Sequence, residues 1–281
     1  MKIRMIVDST ADTTPEVAER LTVVPLTICF GEEEYVHGVD ITNTQFYEKL
    51  VESDVLPTTS QATPYAFEQV FQETVDAGET AIVITLSHKL SGTYQSAVAA
   101  AADFPGKVFV IDSGSVAIGA GILAEYGLEL IDKGMTPEQI TAELEQQKQR
   151  IHVLAMLDTL EYLKKGGRIS KTVAFAGELL SIKPVVGLDG GEIKMLGKAR
   201  GSKQANNLLV KEIQDAGGVD FSRPLLLGYT GLSDVLLQKY IRDSAALWDG
   251  NREQLPYTVI GSVVGTHAGP GAVAVAFFGE K

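Results

Sequence analysis

The sequence predicts an α/β fold in two domains, and three observations carry that expectation. Short β-rich runs alternate with helical patterns from one end of the chain to the other, the arrangement of an α/β protein. The runs are apolar at nearly every residue rather than at every second one, which fits parallel strands covered by helices on both faces. At 281 residues the chain is near the size at which one hydrophobic core splits into two. We therefore expect an N-terminal domain over residues 1–150, with a mainly parallel sheet and helices on both faces, and a C-terminal domain over 151–281 with a mixed sheet and helices.

In order along the chain, the first apolar run, Ile3 to Val7, stops at Asp8-Ser9-Thr10. A helix opens at Thr14-Pro15-Glu16, with Thr14 as its cap and Pro15 in the first turn. Strand-like runs follow at 23–30, 81–86 and 108–111. Helices fill the gaps: 42–53, where Thr42 and Gln45 have capping-box spacing, and 64–76, between the cap Thr63 and the stop Gly78. Ser91-Gly92-Thr93 opens a helix through Ala102, and a long one runs from Gly114 to Asp132. Another starts at Thr136-Pro137-Glu138 and continues through residues 143–150, the most hydrophilic stretch of the chain, where the domain boundary falls.

The second half has a different rhythm. A strand at 153–157 and a helix reaching Lys165 precede Gly166-Gly167-Arg168-Ile169-Ser170 and a helix to about Leu180. Residues 185–188 and 192–196 flank Asp189-Gly190-Gly191 and form a hairpin, because Asp-Gly supplies the positive φ values of a tight turn. A helix at 202–216, a strand at 225–229, a helix capped by Ser233, and strands at 259–264 and 272–278 complete the chain.

Composition removes several function classes. The 24 basic and 36 acidic residues give a net charge of −12, which argues against a general nucleic-acid binder, whose phosphate contacts need clustered Lys and Arg. The single cysteine, Cys29, excludes an intrachain disulfide and a cysteine zinc cluster, and its apolar neighbours predict a core thiol. The four histidines never stand in HExxH or HxH spacing, so no metal site is expected. The start carries no apolar signal core and no run is long enough to span a bilayer, so a cytoplasmic protein is expected, without stable membrane insertion.

Four segments place hydroxyls and glycines beyond the ends of apolar runs, where open α/β sheets hold ligands. They are Asp8-Ser9-Thr10, Thr58-Thr59-Ser60-Gln61, residues 86–93, and Thr266-His267-Ala268-Gly269-Pro270-Gly271. Ser91 caps a helix start whose amides, at Gly92, Thr93 and Tyr94, favour an anionic group; the same residues also serve as an ordinary structural cap. His267 is either a satisfied structural histidine or a partner for a hydroxyl that holds a ligand. A further alternative is a serine-dependent acyl or phosphoryl transfer enzyme, with Ser91 activated by His267.

Taken together the motifs resemble the DegV family over essentially the whole chain. In order they are Asp8-Ser9-Thr10-Ala11-Asp12, Pro57-Thr58-Thr59-Ser60-Gln61, Leu90-Ser91-Gly92-Thr93-Tyr94-Gln95-Ser96-Ala97, Ile111-Asp112-Ser113, Leu160-Glu161-Tyr162-Leu163-Lys164-Lys165-Gly166-Gly167-Arg168-Ile169-Ser170, Ile182-Lys183-Pro184, Lys198-Ala199-Arg200 and His267-Ala268-Gly269-Pro270-Gly271. The resemblance implies two α/β domains with one long-chain fatty acid in a tunnel between them, and no cofactor. It implies a binding subunit rather than an enzyme: in several bacteria a separate ATP-using fatty acid kinase phosphorylates the bound carboxylate, and the acyl phosphate feeds phospholipid synthesis. By motif position the carboxylate contacts are Thr59 and Ser91, with Ser60, Gly92 and Thr93 beside them. His267 supports that network, Arg200 lies near the head group, and Arg168 and Lys165 lie on the surface facing the kinase. Two departures stand out: Ser60-Gln61 is followed by Ala62 where the family has proline, and His88 stands where serine is common.

Overall fold

The computed structural model describes residues 2–169, 182–248, 250 and 254–280. β1 (Ile3–Asp8) passes through the short α1 (Pro15–Ala18) to β2 (Thr22–Val24). β3 (Thr27–Phe30) and β4 (Glu33–Val36) follow, then α2 (Asn43–Glu52), β5 (Thr58–Ser60), α3 (Pro64–Asp76), β6 (Thr80–Thr85), α4 (Thr93–Ala101) and β7 (Val108–Asp112). Two sheets result: a parallel one in the order β2-β1-β6-β7, and a small antiparallel one, β4-β3-β5. Next come α5 (Ile118–Asp132), α6 (Pro137–Gln147) and a 3-10 turn, Lys148–Arg150.

The turn leads directly into β8 (Ile151–Met156), the first strand of a third sheet. After α7 (Glu161–Lys165) come the hairpin β9 (Ile182–Asp189) and β10 (Glu192–Arg200), α8 (Gly201–Asp215) and β11 (Leu225–Tyr229). The chain ends with α9 (Val235–Asp243), α10 (Ala245–Trp248), β12 (Tyr257–Val259), α11 (Ser262–Ala268) and β13 (Val273–Phe278). The sheet runs β10-β9-β8-β13-β11-β12, antiparallel throughout except for the parallel β11–β12 pair.

The parallel sheet shows why its strands are apolar at successive positions. Every residue of β6 is buried. Met5, Val7, Ile82 and Ile84 pack toward α5 and α6, whereas Ile6, Ala81 and Val83 pack with Phe67 and Phe71 of α3 and Ala97 of α4. Side chains alternate across a strand, so a strand covered on both faces loses its polar positions. α5 touches β1 and β6 on one side and β8, β11 and β13 on the other, and one apolar core joins Val7 and Ile84 to Val153, Leu226 and Ala274.

Several expectations change. Residues 23–30 are not one strand: Pro25 lacks the N–H that a ladder needs, so β2 stays in the parallel sheet while β3 enters the antiparallel one. The run 259–264 is not a strand either, because β12 ends at Val259 and α11 begins at Ser262, held there by contacts from residues far away in sequence. The long helix begins at Ile118 rather than Gly114, after Ala117 at φ 55°. Thr14 precedes α1 without a side-chain cap, whereas the capping box of Thr42 and Gln45 is formed. Cys29 is half-buried on β3. The helix expected up to about residue 180 lies outside the described residues.

α5 fits between the sheets only because Gly121 lets it approach the β1–α1 connection: a Cβ there would lie 1.9 Å from the Asp12 carbonyl oxygen, a backbone atom. Gly121→Ala therefore should destabilise the fold by about 1–3 kcal/mol, the usual cost of overpacking. An unchanged thermal midpoint would show that α5 is free to shift.

Candidate functional site

A cavity of about 950 Å³, mouth included, lies between the parallel sheet and the six-stranded sheet. Its walls come from the loops after β1 and β6, from β5 and α11, and from the inner faces of β8, β9 and β13. The carboxyl ends of parallel strands are the usual ligand position in open α/β sheets. Most of the surface is apolar, supplied by residues such as Val153, Ala155, Val186, Leu188, Val263 and Ala274. Thr59, Ser60, Gln61, Ser91, Arg168 and His267 supply the polar part of the lining; Thr59 meets His267, and Arg168 bonds the Leu90 carbonyl, next to Ser91 in the chain.

β5 presents Thr59 inward, while Thr58 and Ser60 are exposed, as alternation along a strand requires. Thr59 Oγ1 lies 2.9 Å from His267 Nε2. Burial, with a smaller contribution from the nearby Arg168 charge, pushes the His267 pKa down to about 4, so the ring is neutral at neutral pH. Among the described residues its buried Nδ1 has no partner. A proton on Nδ1 would leave an orphaned buried donor, whereas a proton on Nε2 is donated to Thr59 Oγ1. That tautomer leaves the Thr59 hydroxyl proton available to a ligand. Gly166 makes room for the ring, since a Cβ there would lie 2.2 Å from Nδ1.

Ser91 reaches the cavity from the loop before α4, although the helix-capping position itself is Gly92. Ser91 Oγ lies 2.9 Å from Thr93 Oγ1 and accepts the Thr93 N–H at 3.3 Å. Thr93 is fully buried and lies behind Ser91, outside the lining, as does Gly92. Gly92 permits close packing by Gln61: a Cβ would meet Gln61 Oε1 at 2.1 Å. Gln61 in turn donates to Ser96 Oγ at 2.9 Å. Thr10 also lines the cavity. Its N–H and hydroxyl both donate to Asp8 Oδ1, at 2.9 and 2.6 Å, and the Leu86 N–H donates to Asp8 Oδ2 at 2.6 Å, which ties the β1 and β6 loops together.

The basic residues separate. Arg168 is half-buried at the cavity, its Nε donating to the Leu90 carbonyl at 3.2 Å and Nη1 to the Gly166 carbonyl at 2.5 Å. It bridges the turn after α7 and the loop that carries Ser91, so it faces inward more than a surface residue would. Lys165 is exposed and paired with Glu161 at 2.6 Å. Arg200 is exposed at the end of β10, outside the cavity lining, so the structure does not bring it to the polar cluster. His88 is exposed, with its ring on Asp112, and lies outside the lining. Among the described residues no group of His, Cys, Asp and Glu could hold a metal ion.

Chemically, the cluster offers neutral hydroxyl donors and one guanidinium beside an apolar chamber, a match for an anionic head group on a long apolar tail. The serine-enzyme alternative requires His267 against Ser91; the ring meets Thr59 instead, and among the described residues no group orients its Nδ1. Thr10, Gln61 and Gly166 were not among the expected site residues, although Thr10 and Gln61 stand in the hydroxyl-rich segments that could have pointed to them.

His267 sets a sign for acid stability. An unfolded histidine titrates near about 6.5 and the folded one at about 4, so between these values only the unfolded chain takes the proton and stability falls as pH drops. His267→Gln should flatten the decline in urea midpoint over that window. An equal decline in both proteins would contradict a neutral, buried His267.

Comparison with known proteins places this geometry in context. The family model described as uncharacterised protein, DegV family, matches residues 2–280. A DegV domain-containing protein of Caldanaerobacter subterraneus subsp. tengcongensis is 35% identical over 287 residues, covering 100% of this chain and 99% of its own. A Thermus thermophilus DegV family protein, whose structure is described as showing fatty acid binding, superposes with a TM-score of 0.88 at 32% identity, covering 99% of this chain and 100% of its own. A stearic acid-binding protein of Eubacterium ventriosum superposes with a TM-score of 0.87 at 26% identity, covering 98% and 97%. By sequence over its whole described length, and by fold, the chain belongs to the DegV family.

Proposed function

We propose that the protein binds one long-chain fatty acid, with the tail in the apolar chamber and the carboxylate at Thr59 and Ser91. The observation that carries the reading is the distribution of chemistry in the cavity, apolar over most of its wall and hydroxyl-rich in one cluster. Burial of a tail is worth about 0.8 kcal/mol per methylene, so the chamber supplies most of the affinity. The head group then needs only enough donors to offset its desolvation. Thr59 and Ser91 donate directly, Ser60 lies at the exposed rim, Gly92 and Thr93 support Ser91, and His267 orients Thr59. Fatty acid binding by related DegV proteins of the same fold supports the reading.

The residues 1–150 and 151–281 act in this reading as two domains that clasp the ligand. The protein is a cytoplasmic binding subunit that presents its ligand to a separate ATP-dependent kinase, and the acyl phosphate formed is consumed in phospholipid synthesis. Among the described residues no helix is long and apolar enough to cross a membrane. In the phosphoryl transfer a carboxylate oxygen attacks the terminal phosphorus of ATP, an O–P bond forms, and the bond to the departing ADP breaks. Hydroxyl donors leave an oxygen open to that attack, and Arg168 stabilises charge near the head group. Lys165 and the outer edge of Arg168 form the docking face for the kinase.

Mass spectrometry of the purified, denatured protein should recover about one fatty acid per chain, or the protein should bind added oleate; failure of both would sink the proposal. Ser91→Ala should weaken oleate binding by roughly tenfold or more, the value of a hydrogen bond to a charged group. Unchanged affinity would remove the carboxylate from that position. Lys165→Glu should keep oleate affinity and slow phosphorylation by an added fatty acid kinase, and an unchanged rate would place the docking face elsewhere.

A further inference from the structure

α11 belongs to the second half of the sequence, yet its start is held by side chains from the first. Its capping residue, Gly261, has no side chain to offer the helix, and a Cβ there would lie 2.9 Å from Asp12 Oδ1 and 2.8 Å from His37 Cε1. The missing acceptors come from far along the chain. Asn43 Oδ1 accepts the Ser262 N–H at 3.1 Å and the Ser262 hydroxyl at 2.8 Å. Asp12 Oδ1 accepts the Gly261 N–H at 2.8 Å, and the Tyr47 hydroxyl donates to the Ile260 carbonyl at 2.7 Å.

At the other end of the same short helix stands His267. α11 has seven residues, so the two ends are about 10 Å apart at 1.5 Å per residue, and a tilt at the start is carried rigidly to the ring. Among the described residues the ring has one hydrogen bond, to Thr59, and its buried Nδ1 has no partner. Among the described residues no second hydrogen bond fixes its angle, and the helix backbone and the close approach of Gly166 position the ring.

We propose that Asn43 is a positioning residue, which by fixing the start of α11 sets the angle at which His267 meets Thr59 and thereby tunes the affinity for the ligand carboxylate. The affinity part rests on the fatty acid reading above; the positioning part does not. Asn43 lies outside the cavity lining. It lies at the first residue of α2, and its bonds to Ser262 connect it to the cavity through α11, while its Oδ1 also lies 3.3 Å from His37 Nε2.

The test combines two readouts on the full chain. In the ligand-free protein, Asn43→Ala should move the ring ¹⁵N resonances of His267, and Asn43→Asp, which keeps the acceptor oxygen, should restore them. Oleate affinity should fall about fivefold in Asn43→Ala, the scale of a lost helix cap, and should change less than about twofold when the same substitution is made in His267→Ala. Unmoved ring resonances, or the same loss of affinity in both backgrounds, would overturn the proposal. If Asn43→Ala does not fold, Tyr47→Phe keeps the buried ring, loses the hydroxyl's bonds to the Ile260 and Gly231 backbone, and must show the same coupling to His267. Wild-type protein that binds no oleate would refute the fatty acid reading, and the ring resonances would still decide the positioning role.

Discussion

The cavity depends on one constraint: residues 260–268, from near the end of the chain, are folded onto its first half. Asp12, Asn43 and Tyr47 each bond to that segment, and α11 packs on α2, β3 and β5 as well as on α7. The segment supplies a wall of the cavity through Ile260, Val263 and Val264, and it carries His267 to Thr59. On the opposite side, α5 is packed between two sheets at once. Protein interiors are close-packed, so these contacts from both sides fix where the walls of the chamber sit.

Electrostatics inside the chamber differs from that of the surface. The chain carries −12 overall, so its long-range field does not draw an anion toward the site. Affinity must come from contacts that act only after entry, namely apolar burial and local donors. Lowering of the His267 pKa by burial fits this picture, because a neutral imidazole donates to Thr59 without adding charge to an apolar wall. Among the described residues Arg168 is then the cationic side chain that lines the chamber, and its bond to the Leu90 carbonyl holds it beside Ser91.

Local interactions were legible in the sequence, and long-range ones were not. The uninterrupted apolar run in β6 announced a strand covered on both faces, and the three-residue spacing from Thr42 to Gln45 announced a capping box. Pro25 also carried a readable signal, since a proline inside a strand marks an edge or a break. Residues 259–264 gave no such warning: Val259, Val263 and Val264 favour a strand, and the cap that turns the run into a helix comes from Asn43, 219 residues away. The inward turn of Arg168 rests on a contact 78 residues away and was equally invisible. Thr59 separates from Thr58 and Ser60 only once β5 is known to be a strand. Arg200 entered through family resemblance rather than local chemistry, and the fold leaves it exposed at a strand end.

The most direct measurement of the central claim is the ¹³C resonance of oleate labelled at the carboxyl carbon and bound to the protein. A carboxylate held by Thr59 and Ser91 gives a single bound resonance, shifted from that of free oleate, that moves in Thr59→Val and in Ser91→Ala and stays in place in Arg200→Ala. A bound resonance indifferent to both hydroxyl substitutions would contradict the account.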